Sequence, residues 1–171
     1  MTNPAITQAV KAAVRSGSST LDLRGLVLHF DEQMLQDLEQ ITSIRVGGAD
    51  LEYIPKSLFA VDRLSALYVN DAAIHELPSE IAKLQNLECL WLTNCPNLKT
   101  MPDNITELAK LEMLLLNMNS IEELPPTIGN LAKLRRLVVA DNCLVAVPES
   151  VQSLSIVELN LSGNCSLSFQ G

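Results

Sequence analysis

The sequence predicts an α/β fold, a right-handed solenoid with about seven parallel strands on one side and short helical or irregular segments on the other. Three observations predict it. One pattern of apolar residues recurs along the chain of 171 residues. Hydrophobic residues make up 47% of the chain and aromatic residues only 4%, so Leu, Ile and Val fill the core. Asn and Pro stand at fixed places between the apolar positions, where turns are expected.

The pattern is clearest in segment 111–134, which reads L-x-x-L-x-L-x-x-N-x-L-x-x-L-P-x-x-I-x-x-L-x-x before it begins again. Successive starts lie 23, 23, 23, 24, 23 and 22 residues apart. The starts are Ser18, Ile41, Leu64, Leu87, Leu111, Leu134 and Ile156. The step of 24 reflects one extra residue in segment 95–98. A period of this length indicates stacked repeats.

The repeat resembles the typical unit of leucine-rich repeat proteins, and its Leu-Pro pairs are similar to the intracellular plant Ras-group, Ras-suppressor and Scribble-like type. These pairs and their variants begin at Ile54, Leu77, Met101, Leu124 and Val147. The resemblance covers residues 18–167. It implies one horseshoe-shaped domain over 1–171, with a capping helix over 1–17 and repeats over 18–171, the last one incomplete.

The N-terminal helix begins near Pro4, which suits a first helical turn, and stops at Gly17. One helical face is expected to carry Ile6, Val10, Ala13 and Val14. Such a helix covers the apolar edge of the first repeat. A membrane or partner helix is the alternative, but Lys11 and Arg15 are its only basic residues and it has no large apolar wedge.

The first repeat continues with a predicted true helix over 31–40, in which Met34, Leu35 and Leu38 face the core. From Ile41 onward, each repeat predicts a short strand, a turn and an irregular or short helical return. Strand positions four and six face the core, so positions three, five and seven face the concave surface. Leu114 and Leu116 are therefore expected inside and Leu115 outside.

The ninth position of each repeat normally holds Asn in this family, because its amide satisfies backbone groups in neighbouring turns. Here the series is Leu26, Ala49, Ala72, Cys95, Asn119, Asn142 and Asn164. The sequence thus predicts an asparagine ladder in the C-terminal half only, with Cys95 as a small buried substitute. The N-terminal turns are expected to be less stable or to hold water.

The candidate site is a column of apolar side chains at position five, which includes the only tryptophan of the chain. The column consists of Tyr68, Trp91, Leu115 and Val138, flanked by Cys89, Met113 and Met118. Arg45 and Arg136 lie near its margins, in a rim that also holds Asp22, Arg24, Asp141, Glu158 and Asn160. Single exposed apolar residues are ordinary, but adjacent ones with Trp and Tyr are typical of protein-binding surfaces.

Several function classes are disfavoured. The net charge of −8 argues against nucleic acid as a partner. His29 and His75 have no cysteine at ligand spacing, and no phosphate loop or nucleophile elbow is present, so the sequence predicts no metal, no cofactor and no catalytic residue. No apolar run is long enough to span a membrane, and the start lacks the features of a signal peptide. The scattered cysteines favour a reduced, cytoplasmic protein.

Two function hypotheses remain. The first is a non-catalytic adaptor or scaffold in signalling that binds a protein through the concave face. The second is the recognition part of a larger protein, such as a ubiquitin ligase, bacterial effector or immune receptor. The resemblance implies protein partners such as small GTPases, phosphatase complexes or ubiquitination targets. No capping segment is visible at the C-terminal edge, so the sequence leaves two alternatives: self-association at that edge, or continuation of the chain in a longer protein.

Overall fold

One sheet of seven parallel strands, hydrogen-bonded in chain order, forms one side of the protein. A computed structural model describes residues 4–28 and 38–164. The strands are β1 (Thr20–Asp22), β2 (Ser43–Gly48), β3 (Ala66–Ala72), β4 (Cys89–Thr93), β5 (Met113–Leu115), β6 (Arg136–Val138) and β7 (Glu158–Asn160). The predicted repeat fold with its parallel sheet is confirmed.

The inward side of the sheet is the core, and the predicted register is confirmed. Six residues at positions four and six are at most 1% exposed: Leu90, Leu92, Leu114, Leu116, Leu137 and Val139. Leu115 is half-buried on the opposite face. Alternation along each strand therefore separates the core from a second face. That second face, predicted to be concave, is called the open face below.

Short 3₁₀ helices return the chain behind the sheet. They span Lys56–Ala60, Ser79–Lys83, Asp103–Glu107, Ile128–Asn130 and Glu149–Ser153. Four of them follow directly on a proline. Proline suits this place because its φ is fixed and it has no N–H to satisfy at a helix start. The helices carry buried residues such as Leu58, Ile81 and Ile105 into the core.

The N-terminal helix α1 (Pro4–Ser16) packs on the first repeat through Ile6, Val10 and Ala13. Val14 was predicted on the same face and is 42% exposed. The reason is angular, since Val14 lies about 80° around the helix from Ile6. The helix ends at Gly17, whose φ is +68°. Most of the helix predicted over 31–40 lies outside the described residues, although Leu38 is buried.

The predicted asparagine ladder is confirmed in the C-terminal half. Asn119 Oδ1 accepts the N–H of Cys95 at 2.8 Å, and its Nδ2 donates to the carbonyls of Leu92 in the preceding repeat and Leu116 in its own. Asn142 accepts the N–H of Ile121 at 2.9 Å, and Asn164 accepts that of Leu144 at 2.9 Å. Each amide therefore joins two repeats. Cys95 itself is fully buried, as expected.

The N-terminal turns lack this amide ladder. A cavity of about 120 Å³ lies between the turns of the first two repeats, beside Gly25, Leu26, Gly48 and Leu51. At the ninth position, Leu26 is only half-buried and Ala49 is exposed. Neither side chain carries an amide to bridge the turns. Lower stability or bound water in this half stays a prediction.

Candidate functional site

The predicted column is continuous on the open face. Tyr68 pairs in register with Trp91, Trp91 with Leu115, and Leu115 with Val138. Neighbouring strands lie about 4.8 Å apart, so these side chains form one surface. Trp91 is 37% exposed, and the other members are half-buried. The column thus combines contact among its own members with access from solvent.

The two aromatic rings of the column are held by their neighbours. The ring centroids of Tyr68 and Trp91 lie 5.8 Å apart with planes inclined by 45°. Trp91 Nε1 donates a hydrogen bond to Thr93 Oγ1, which in turn donates to Asn117 Oδ1 at 3.3 Å. The indole is therefore oriented before any partner arrives, which reduces the entropy lost on binding.

The flanking residues at position three behave differently from one another. Met113 is half-buried on the open face beside Leu115, as predicted. Cys89 is only 6% exposed, so its thiol is not part of the accessible surface. Burial raises the pKa of the Cys89 thiol and also raises the pKa of the neighbouring Tyr68 hydroxyl. The Tyr68 and Cys89 side chains also interact directly from neighbouring strands.

Charged residues lie at the margins of the column, and two of the three arginines there are paired. Arg24 donates to Asp22 at 2.6 Å, which holds the pKa of that carboxyl below its usual value. Arg136 Nε donates to Glu158 at 2.6 Å. Within the described residues Arg45 has no salt bridge, and its guanidinium carbon lies 5.3 Å from the Tyr68 ring centroid. Arg45 lies in register with Asp22, whose pKa its charge lowers by less than the Arg24 hydrogen bond does, but it forms no ion pair and can still meet a partner carboxylate.

A row of left-handed residues at position eight was not predicted. The row consists of Gly25, Gly48, Asp71, Asn94, Met118, Asp141 and Gly163, all with φ between +54° and +122°. Gly, Asn and Asp tolerate this conformation, whereas a residue such as Met loses about 1–2 kcal/mol in it. The recurrence of Gly, Asn and Asp at one repeat position was the signal for this row in the sequence.

Other kinds of site are not found in the part of the chain that the structure describes. Residues 4–28 and 38–164 contain no group of three or more His, Cys, Asp or Glu side chains placed to hold a metal ion. Within the same ranges, no helix has the length and apolar character needed to cross a bilayer. The cavity near Gly25 lies at the turns, away from the column. The open face is therefore the candidate site.

Comparison with known structures gives leucine-rich repeat proteins. No protein-family model matches the chain. A leucine-rich repeat protein of Leptospira interrogans superposes with a TM-score of 0.78 at 28% identity over 90% of this chain. The leucine-rich repeat domain of the type III effector XopL superposes with a TM-score of 0.83 at 26% identity over 96%. A disease resistance protein of Arabidopsis thaliana is 36% identical over 69 residues, 40% of this chain.

These relatives are all longer than this chain. The chain spans 40% of the Leptospira structure and 58% of the XopL domain structure. It spans 6% of the Arabidopsis protein. The likeness therefore concerns the repeat unit and its stacking, and the functions of the whole relatives are not carried by it.

Proposed function

We propose that the chain, which is a leucine-rich repeat protein, is a non-catalytic module that binds a protein partner through its open face. One observation carries the proposal. The column of Tyr68, Trp91, Leu115 and Val138 is continuous across four neighbouring strands and includes the only tryptophan. Trp and Tyr are the side chains that most often anchor protein interfaces.

The chemistry of the surface indicates the chemistry of the partner. The column offers apolar and aromatic contact, so the partner presents an apolar side chain to Trp91 and its neighbours. Arg45 stands at one margin beside Asp22 but forms no ion pair within the described residues, and so accommodates an acidic group of the partner. Charge complementarity of this kind selects the partner and speeds its association.

An adaptor or scaffold role in signalling, in the cytoplasm, is part of this proposal. It is supported by the resemblance of the repeats to intracellular signalling proteins. The described cysteines Cys89, Cys95 and Cys143 are free thiols, which suits a reducing compartment. Small GTPases and signalling complexes are the partner classes that this resemblance favours.

A second candidate function is recognition within a larger protein. It is favoured by the lengths of the relatives, since this chain matches only part of the XopL domain structure and of the Arabidopsis protein. In that case the open face selects a target, and a different part of the protein acts on it. Sequencing the transcript that encodes the chain distinguishes the two candidates, because a longer reading frame favours the second.

Self-association through the edge strand β7 stays a prediction. Leu159 and Val157 on this edge are 47% and 83% exposed, which leaves apolar surface available to a second copy. Sedimentation equilibrium over a wide concentration range measures it. A monomer at every concentration would contradict self-association without affecting the proposal for the open face.

Trp91→Ala tests the binding function. Wild-type and variant proteins are used side by side to capture partners from a cell extract, and any protein lost with the variant is purified for calorimetry. Trp91→Ala is expected to weaken binding by about 2 kcal/mol or more, roughly thirtyfold. Lys83→Ala and Lys133→Ala serve as controls, because both lysines are exposed away from the open face, on what is called the outer face. Full affinity of Trp91→Ala with loss in a control would place the site on the outer face instead.

A further inference from the structure

Met118 combines an unfavourable backbone conformation with an exposed apolar side chain. Its φ is +60°, in the left-handed region that Gly, Asn and Asp occupy elsewhere in the position-eight row. Its side chain is 50% exposed, so it contributes little to the core. Its neighbours in the row are Asn94 and Asp141, both polar and exposed. The Met118 N–H donates to the Ala140 carbonyl at 3.0 Å, a bond that any residue at this place could make.

The position of Met118 relates it to the column. It stands in the turn after β5, three residues after Leu115, at the rim of the open face. Between the column and this rim lies a polar band at position seven, formed by Asn70, Thr93 and Asn117. Within the described residues no hydrogen bond is made by the side chain of Asn70 or by Nδ2 of Asn117. The apolar column is therefore followed by a polar band, and beyond that band Met118 is the single large apolar side chain of the rim.

We propose that Met118 is a docking residue for an extended segment of the protein partner, an inference that rests on the proposed function of the open face. The segment places an apolar side chain against Met118 and a carboxylate at Arg45. The amide groups of the polar band bond to its peptide groups. An extended segment needs such partners for its backbone, whereas a helix satisfies its backbone internally.

The geometry sets the spacing of the segment. Arg45 is on β2 and Met118 follows β5, so three strand intervals of about 4.8 Å separate them, with an additional offset along the strands. The offset of three positions is about 10 Å, so the two contacts lie about 17 Å apart, and an extended chain that advances about 3.3 Å per residue spans this in about five residues. The recognised segment therefore has an acidic residue and a large apolar residue about five positions apart.

Peptides provide the probe, because the partner is not identified. A phage-displayed library of random twelve-residue peptides is selected on the wild-type protein, and the enriched peptides are synthesised with blocked ends. Their Kd values are measured by calorimetry on Met118→Asn, Met118→Leu, Trp91→Ala and Val145→Asn. Val145 is the matched control, since it is also 50% exposed but has no positive φ. The melting temperature of each variant is recorded in parallel.

The expected outcome has opposite signs for stability and binding. Met118→Asn removes the strained Met, so the melting temperature of this variant rises. Its Kd for the peptide increases about tenfold, because the apolar contact is lost. Met118→Leu keeps an apolar side chain, so its Kd stays within about threefold of the wild-type value. Val145→Asn leaves the Kd unchanged.

The variants separate failure of this inference from failure of the proposed function. Loss of binding with Trp91→Ala but full binding with Met118→Asn would overturn the role of Met118 and leave the open-face function intact. Full binding with both variants would overturn both. A library that yields no peptide dependent on Trp91, or a lower melting temperature for Met118→Asn, would also overturn the inference.

Discussion

The guanidinium carbon of Arg45 lies 5.3 Å from the ring centroid of Tyr68, on the neighbouring strand and in direct register. Tyr68 in turn contacts Trp91. A cation, a phenol and an indole are thus in contact across three strands. A cation over an aromatic face is attracted by the ring quadrupole, which holds Arg45 beside the column. A partner that covers Trp91 therefore also meets the charge of Arg45.

Charge reversal at Arg45 is expected to act mainly on the rate of association. Arg45→Glu replaces an attractive charge by a repulsive one near an acidic group of the partner, so the association rate constant falls. The loss shrinks when salt rises from about 0.05 to about 0.5 M, because screening shortens the reach of the charge. Stopped-flow mixing or biolayer interferometry measures it. Lys133→Glu is the control, and an equal effect there would mean that net charge alone matters.

Leu116 is fully buried at position six, so its truncation is expected to destabilise the protein strongly. Leu116→Ala should lower the free energy of unfolding by about 2–5 kcal/mol, from lost burial and the cavity left behind. Urea denaturation followed by circular dichroism measures the change. Leu115→Ala is the matched control, since that side chain is only half-buried on the open face. Equal losses in both variants would contradict the alternation of the two faces.

Removal of the Asn119 amide is expected to uncouple two repeats. Asn119→Ala removes the acceptor for Cys95 N–H and the donor to the carbonyls of Leu92 and Leu116, all buried. At about 1 kcal/mol for each bond, the loss is about 3 kcal/mol, and unsatisfied backbone groups increase it. Amide exchange of Cys95 should accelerate. Asn117→Ala, two residues earlier and only half-buried, should cost less than about 1 kcal/mol, and the reverse order would contradict the ladder.

The described thiols are expected to differ in reactivity. Cys143 is exposed, whereas Cys89 and Cys95 are buried and burial raises the pKa of both thiols. A raised pKa leaves less thiolate at pH 8, and the thiolate is the reactive form. Iodoacetamide should therefore modify Cys143 first, as seen by peptide mass spectrometry over time. Early modification of Cys95 would show that the turns around it open readily. Urea abolishes the difference and serves as the control.

The side-chain direction along the strands was predictable from the sequence, and so was the asparagine ladder. Leu114, Leu115 and Leu116 are three identical residues in succession, yet the repeat phase places the middle one outside. The assignment of side-chain direction succeeds because a solenoid stacks the same position of each repeat on its neighbour. A wrong phase would put apolar residues outside in every repeat at once. Asn119 followed for the same reason, since its partners lie in adjacent turns.

Contacts between side chains at different positions of the repeat were visible only in the tertiary structure. Cys89 has the repeat position of an exposed residue, but it is only 6% exposed and its side chain interacts with that of Tyr68 on the neighbouring strand. Val14 lies on the apolar side of α1 in the sequence, but it is turned about 80° from Ile6 and stays 42% exposed. Long side chains reach past their own repeat, and a periodic pattern contains no information about that reach.

The sequence by itself determined the repeat, the direction of each strand residue and the apolar column. All three follow from one period that recurs in successive repeats. Only the tertiary structure decided that Arg24 and Arg136 are paired while Arg45 faces an aromatic ring. It also decided that Met118 has a positive φ. Rotamers and backbone angles depend on the residues that surround a side chain in space. The position of that residue in its repeat does not specify those surroundings.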